Sequence, residues 1–204
     1  MSRKPRLEEN WVPKTKLGEM VKEGLITIDQ IFKNNLVVKE KEVIDTLLSN
    51  IKEDVITIKM VQVQTASGER SRFKAVVIVG ADGYLGVASA KAREVGPAIR
   101  KAIDKAKISI VPVIRGCGSK ECGCGGTHSI PFRLFGKCGS VRIKLIPAPA
   151  GVSLVCADKV KQVFKLCGIE DMWSKTYGDT RTSENLVKAT FDALKSAHKY
   201  NFNL

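Results

Sequence analysis

The chain is short of three things. Aromatic residues make up 6% of its 204 positions, it has 2 histidines, and its central apolar run is only Ala75–Val79. Each shortage excludes something. A helix crossing a bilayer needs about 20 apolar residues, so no membrane partner is expected. The N-terminus, MSRKPRLEENW, is basic and then acidic and lacks the apolar core of a signal peptide, which points to the cytoplasm. With few aromatics and no RNP-like aromatic motif on a strand, stacking on single-stranded bases is not indicated. A Ser-His-Asp triad would have to use His128 or His198, and neither a G-x-S-x-G motif nor a P-loop is present. GADGYLG has glycines at 80, 83 and 86, but a dinucleotide fingerprint has a different spacing and opens a helix. Here the next element reads as a strand, so a hairpin is expected and no enzyme.

Positive charge is plentiful. Lys plus Arg number 34 against 21 Asp plus Glu, a formal net charge of +13. Such an excess attracts polyanions, nucleic acid first. The 44% hydrophobic content suffices for a folded core.

Residues 1–54 read as a basic extension with short helices. Arg3, Lys4, Arg6, Lys14 and Lys16 form its arm, helices are expected near Lys16–Glu23 and Lys41–Ser49, and Asp29 could cap a turn holding Ile31 and Phe32. Residues 55–114 read as three strands and a helix. In VITIKMVQV, Ile56, Ile58 and Met60 alternate with polar residues, TASGER is a turn, and RFKAVVIVG suits a buried central strand. Ala81-Asp82-Gly83 signals a hairpin into YLGVAS. The helix that follows puts Val95, Ile99, Ala102, Ile103 and Ala106 on one face, provided Pro97 lies in its first turn.

Residues 115–129 are a Cys/Gly-rich connector, and residues 130–204 form a second unit. There IPFRLF and SVRIKLIP read as strands, the latter alternating Val141, Ile143 and Leu145 with Arg142 and Lys144. Val160, Val163, Phe164 and Cys167 mark a helix ended by Gly168. IEDMWSKTYG reads as a strand, and Thr182 or Ser183 caps a last helix carrying Leu186, Thr190, Ala193, Leu194 and Ala197. The fold class is α+β: an α-β-β-β-α domain followed by a β-β-α-β-α domain.

The connector RGCGSKECGCGG, with His128 just beyond, leaves alternatives open. Cys117, Cys122, Cys124 and His128 could supply the four soft or imidazole ligands of a structural zinc. Against this, C-x-C is a poorer match than the C-x2-C knuckle, whose backbone N–H groups reach the sulfurs. A plain glycine-rich connector or a reactive thiol are the other readings. Cys138, Cys156 and Cys167 look like small buried hydrophobes.

The basic residues carry the main functional signal. Arg70, Arg72 and Lys74 flank the first hairpin. Arg93, Arg100 and Lys107, spaced seven apart, form a stripe beside the apolar face of the helix, with Lys91 nearby. Arg133, Lys137, Arg142 and Lys144 lie on the polar face of the second sheet, and Arg115 opens the connector. Together they fit phosphate binding by rigid elements, and the α-β-β-β-α order fits shape-based recognition of structured RNA.

RSRFKAVVIVGADGYLGVASAKAREVGPAIRKAIDKAK, residues 70–107, closely resembles the signature of the universal small-subunit ribosomal protein S-five family (protein S-two of eukaryotic cytosolic ribosomes). KCGSVRIKLIPAPAG and NLVKATFDALK resemble its second domain. WVPKTKLGEMVKEGLI and QTASGERSRFKA resemble the archaeal and eukaryotic branch, and GDTRT and the cysteine loop resemble archaeal members. The long Gly/Arg-rich N-terminal extension of animal members is absent from this sequence. The resemblance implies a double-stranded-RNA-binding-like first domain and a second domain with a left-handed β-α-β crossover. It also implies a structural role in the small ribosomal subunit. Members bind ribosomal RNA near the path by which mRNA enters, contact the S-four and S-eight family proteins, and support assembly and decoding accuracy. It places the loop at Thr65–Arg72 on ribosomal RNA and the S-four contact around Arg133–Lys144. An extra-ribosomal structured-RNA-binding or processing factor is the alternative, and a phosphotransferase-like enzyme would need a phosphate-cradling loop that is not found.

Overall fold

The computed structural model describes residues 11–198, so Arg3, Lys4 and Arg6 of the basic arm lie outside the described residues. Three short helices come first: α1 (Lys16–Lys22), α2 (Ile28–Lys33) and α3 (Lys41–Leu47). Thr15 caps α1, its side chain accepting from the Gly18 N–H at 3.2 Å. Asp29 does not cap α2. Thr27 holds that position, and Asp29, in the first turn, accepts from the Tyr84 hydroxyl at 2.6 Å. Phe32 stacks on the same tyrosine ring at 5.9 Å, which pins α2 to the sheet.

The first sheet is antiparallel, in the order β1 (Lys52–Thr65), β2 (Gly68–Ala81), β3 (Tyr84–Ala92), β4 (Val111–Pro112). The expected hairpin at Asp82-Gly83 joins β2 to β3. The β4 strand went unread because two residues are too few to show a period. α4 (Val95–Ile108) packs Ala98, Ala102 and Ala106 against the sheet, with Pro97 in its first turn, where no helical N–H is lost. The wider face read from the sequence is trimmed, since Val95, Ile99 and Ile103 are only half-buried.

Ile58 and Met60 depart from expectation. They are 44% and 58% exposed, while Ile56 is buried. A register irregularity falls between Val55 and Thr57, and the paired strands then run past the core. From residue 62 to 72 every side chain is exposed, so the end of the β1–β2 hairpin is a free two-stranded ribbon.

The second sheet has the order β5 (Leu134–Cys138), β6 (Val141–Pro147), β8 (Met172–Tyr177), β7 (Leu154–Val155). β5, β6 and β8 pair antiparallel; β7 and β8 pair parallel, connected through α5 (Asp158–Cys167). IPFRLF becomes a strand only from Leu134, and β7 adds a short strand that the sequence did not reveal. α6 (Ser183–Ala197) starts after Thr182 and buries Leu186, Thr190, Ala193, Leu194 and Ala197. Gly168 closes α5 in the left-handed region at φ 72, where a side chain would be strained.

Parity explains how the layers stack. On β2, Ala75, Val77 and Val79 pack with α4 and the N-terminal helices, while Ile78 belongs to a core with Val163, Phe164, Leu186 and Leu194. That core also takes Val141, Ile143 and Leu145 of β6. α5 and α6 are therefore a layer shared between the two sheets, and the outer face of the second sheet is open.

Candidate nucleic-acid interface and Cys/His cluster

The twelve cations read from the sequence do not form one patch. β2 and β3 bring Arg70, Arg72, Lys74 and Lys91 together: Lys74 is paired across the strands with Lys91, and Arg72 and Arg70 follow on the same face of β2. Lys59 opposes Lys74 from β1 and adds a cation the sequence reading missed. Arg70, Arg72 and Lys91 are exposed and, among the described residues, take no part in an ion pair.

Lys74 is different. Its ammonium lies 2.6 Å from the Glu184 carboxylate of α6, which also accepts from Lys188 at 2.7 Å and Ser89 at 3.3 Å. Burial pushes the Glu184 pKa up, but the hydrogen bonds from Lys188 and Lys74 outweigh it and bring it down to about 2. Lys107 is also engaged, with Asp45 at 2.8 Å and Glu53 at 3.1 Å. Burial pulls its pKa down, yet hydrogen bonding to the two carboxylates holds it above the ordinary lysine value. These two cations tie elements of the protein together. Arg93 precedes α4, so the helical stripe reduces to Arg100, which is exposed. Arg115 lies half-buried at the junction, 3.5 Å from the Gly168 carbonyl.

The open face of the second sheet holds Lys137, Arg142 and Lys144, with Arg133 just before β5. Three aromatics stand among them: Phe135, Trp173 and Tyr177. Lys144 sits 5.5 Å over the Phe135 ring, and Lys175 5.8 Å over Tyr177. No single strand carries an aromatic run, so the sequence reading missed this surface; the alternation Trp173, Lys175, Tyr177 was its one signal. Beside it, Lys120, Pro131, Phe132, Arg133 and Trp173 help line a pocket of about 640 Å³ between the connector and the sheet.

The connector brings Cys117, Cys122, Cys124 and His128 together. Their ligand atoms all lie within 4.8 Å of one another, a group that could hold a metal ion. The bridge between Gly116 and Ser129, with N–H···O distances of 2.8 and 3.0 Å, sets Cys117 beside His128. Cys122 Sγ is 3.7 Å from His128 Nε2. The other ring nitrogen, Nδ1, is buried, 2.9 Å from Asp171 Oδ2 but off the line of a good hydrogen bond. Hydrogen bonds from Cys124 and from backbone N–H groups of Ala150 and Cys124 lower the Cys122 pKa to about 6. Burial and hydrogen bonding to Cys124 raise Cys117 to about 11. Of the remaining cysteines, Cys167 is buried, and Cys138 and Cys156 are half-buried.

Among the described residues, no helix is long and apolar enough to cross a membrane. Comparison with known proteins agrees with the residues. The family model "Ribosomal protein S5, N-terminal domain" matches residues 51–114, and "Ribosomal protein S5, C-terminal domain" matches residues 136–202. The chain is 56% identical over 190 residues to "Small ribosomal subunit protein uS5" of Methanocaldococcus jannaschii, covering 92% of this chain and 88% of that one. It is 52% identical over 192 residues to the protein of the same description from Thermofilum pendens, covering 93% and 95%. The chain belongs to the ribosomal protein S5 family, in its archaeal form.

Proposed function

We propose that this protein is a structural, non-catalytic component of the small ribosomal subunit in the cytoplasm, and that it binds ribosomal RNA near the path by which mRNA enters. Family membership over nearly the whole chain supports the ribosomal role. The extra-ribosomal processing factor has no support among the relatives.

The observation that carries the RNA assignment is the free ribbon of β1 and β2. Its Arg70 and Arg72 are exposed on a pair of antiparallel strands and unengaged by any described carboxylate. Phosphates are positioned by cations of this kind, and each neutralised phosphate releases counterions. Arg100, Lys91 and Arg93 extend the contact along the first sheet and α4. Arg133, Lys137, Arg142 and Lys144 offer a second contact surface, shared between RNA and the neighbouring S-four family protein. Contact with the S-eight family protein and with mRNA belongs to the same reading, as does support of assembly and decoding accuracy. The Cys/His cluster has a structural part in it, with zinc as the ion its donors suit.

Sucrose-gradient sedimentation of a lysate tests this. The wild-type chain is expected with small subunits and polysomes, and Arg70→Ala with Arg72→Ala is expected to leave a larger free fraction. Normal co-sedimentation of the double variant would remove the hairpin from the interface.

A further inference from the structure

We propose that Cys117, Cys122, Cys124 and His128 form a closed, tetrahedral zinc site that clamps the connector to the second sheet, with Asp171 positioning the histidine. The inference rests on the structural role above only in giving the ion no catalytic duty.

The donor set is three sulfurs and one imidazole nitrogen, which suits zinc over magnesium or calcium. With Zn–S near 2.3 Å and Zn–N near 2.0 Å, a tetrahedron has S···N edges of about 3.5 Å and S···S edges of about 3.8 Å. The Cys122 Sγ to His128 Nε2 distance of 3.7 Å is close to such an edge, and no pair in the group exceeds 4.8 Å. The four atoms are gathered closely enough for one ion to hold them all.

The C-x-C spacing lacks the backbone geometry of a usual knuckle, yet this loop supplies one N–H···S bond of that kind. The Gly126 N–H donates to Cys124 Sγ at 3.5 Å. Gly118 follows Cys117 where a side chain would collide with the Pro131 carbonyl, so the loop can close there only on a glycine.

The histidine is held from outside the loop. With Nε2 given to the metal, the ring proton sits on Nδ1, 2.9 Å from Asp171 Oδ2, which would accept it once the ring turns into line. Asp171 is itself fixed by the Ser153 N–H, which donates to Oδ1 at 2.7 Å. The His128 carbonyl accepts from the Glu170 and Asp171 N–H groups at 2.9 and 3.2 Å. A metal at this site would therefore connect the loop to the turn before β8 and to the segment before β7. With four protein ligands no open position remains for chemistry.

Metal analysis of the purified, reduced full-length chain tests the proposal. One zinc per chain is expected, falling to near zero in Cys117→Ser, Cys122→Ser and Cys124→Ser, with Cys156→Ser unchanged. Should the serine variants fail to fold, cobalt exchanged into the wild-type chain gives an independent reading. Intense tetrahedral visible bands with sulfur-to-cobalt charge transfer are expected, and weak octahedral-type absorption would overturn the site. Asp171→Asn keeps the Ser153 acceptor and is expected to bind zinc about 10–100-fold more weakly in chelator competition; unchanged affinity would remove Asp171 from the assignment. Near-zero zinc with Cys117, Cys122 and Cys124 freely titratable would leave a plain connector. A zinc-free chain that still sediments with small subunits would sink the site and leave the ribosomal role standing. A zinc-loaded chain that never sediments with them would do the reverse.

Discussion

The two sheets solve different problems with similar material. The first is covered on both faces of its central strand, by α4 on one side and by α5 and α6 on the other. The second has helices on one face and an open, basic, aromatic-bearing face on the other. The sequence reflects this: AVVIV of β2 is continuously apolar, and VRIKLIP of β6 alternates. Cations on the two sheets therefore have different fates. On the first, the free cations include Arg70 and Arg72, where β1 and β2 outrun the core, and Lys91 on β3, while Lys74, and Lys107 on α4, are engaged. On the second, they can be free along the whole sheet.

The largest effect should come from the layer the sheets share. Phe164 is wholly buried there, and Phe164→Ala should cost about 3–5 kcal/mol in denaturant unfolding. The loss should appear in one transition reporting on both sheets. Two separate transitions, with only the second sheet weakened, would break the idea of a common core.

Next is the Lys74–Glu184 contact between β2 and α6. Glu184→Gln should cost about 1–3 kcal/mol, since it removes a carboxylate shared by two ammonium groups. Because folding lowers the Glu184 pKa to about 2, its stabilising part is full above the ordinary glutamate range, about 4.3, and fades as pH falls towards 2. Stability of wild type and variant should converge over that window. A gap that stays constant from pH 6 to about 2.5 would show that Glu184 does not act through its charge.

Smaller effects on stability distinguish the free cations. Arg70→Ala with Arg72→Ala should change it by less than about 0.5 kcal/mol per site while lowering the salt dependence of RNA binding by nearly two phosphate contacts. Lys74→Ala should do the opposite, losing stability with little change in salt dependence. The smallest change in stability is expected for Arg142→Ala, exposed on the open face. Its effect should appear only in subunit association, and a marked drop in melting temperature would mean that the face is not open in solution.

Much of the architecture was legible because it is local. The alternation of Val141, Ile143 and Leu145, the spacing of Val160, Val163, Phe164 and Cys167, and the Asp82-Gly83 turn each need only a short window. The failures are long-range. Nothing near Lys74 announces Glu184, and nothing near Lys107 announces both Asp45 and Glu53, so neither ion pair could be read from the sequence. Ile58 and Met60 had the right period, but where a strand leaves the core depends on what packs against it. The four possible metal ligands were visible within one loop, whereas Asp171, brought in by the turn before β8, was not.

The ribbon has a consequence for the protein before assembly. β1 is an edge strand, and Ile58, Met60 and Val63 on it are exposed. An unpaired edge carrying apolar side chains is a template for intermolecular strand addition. Lys59 on that strand places like charges where two such edges would meet, and Arg70 and Arg72 add to the positive field one strand behind, which opposes self-association. The same cations suited to phosphates would thus help keep newly made chains apart. Neutralising them should be felt first as a lower concentration at which the free protein aggregates.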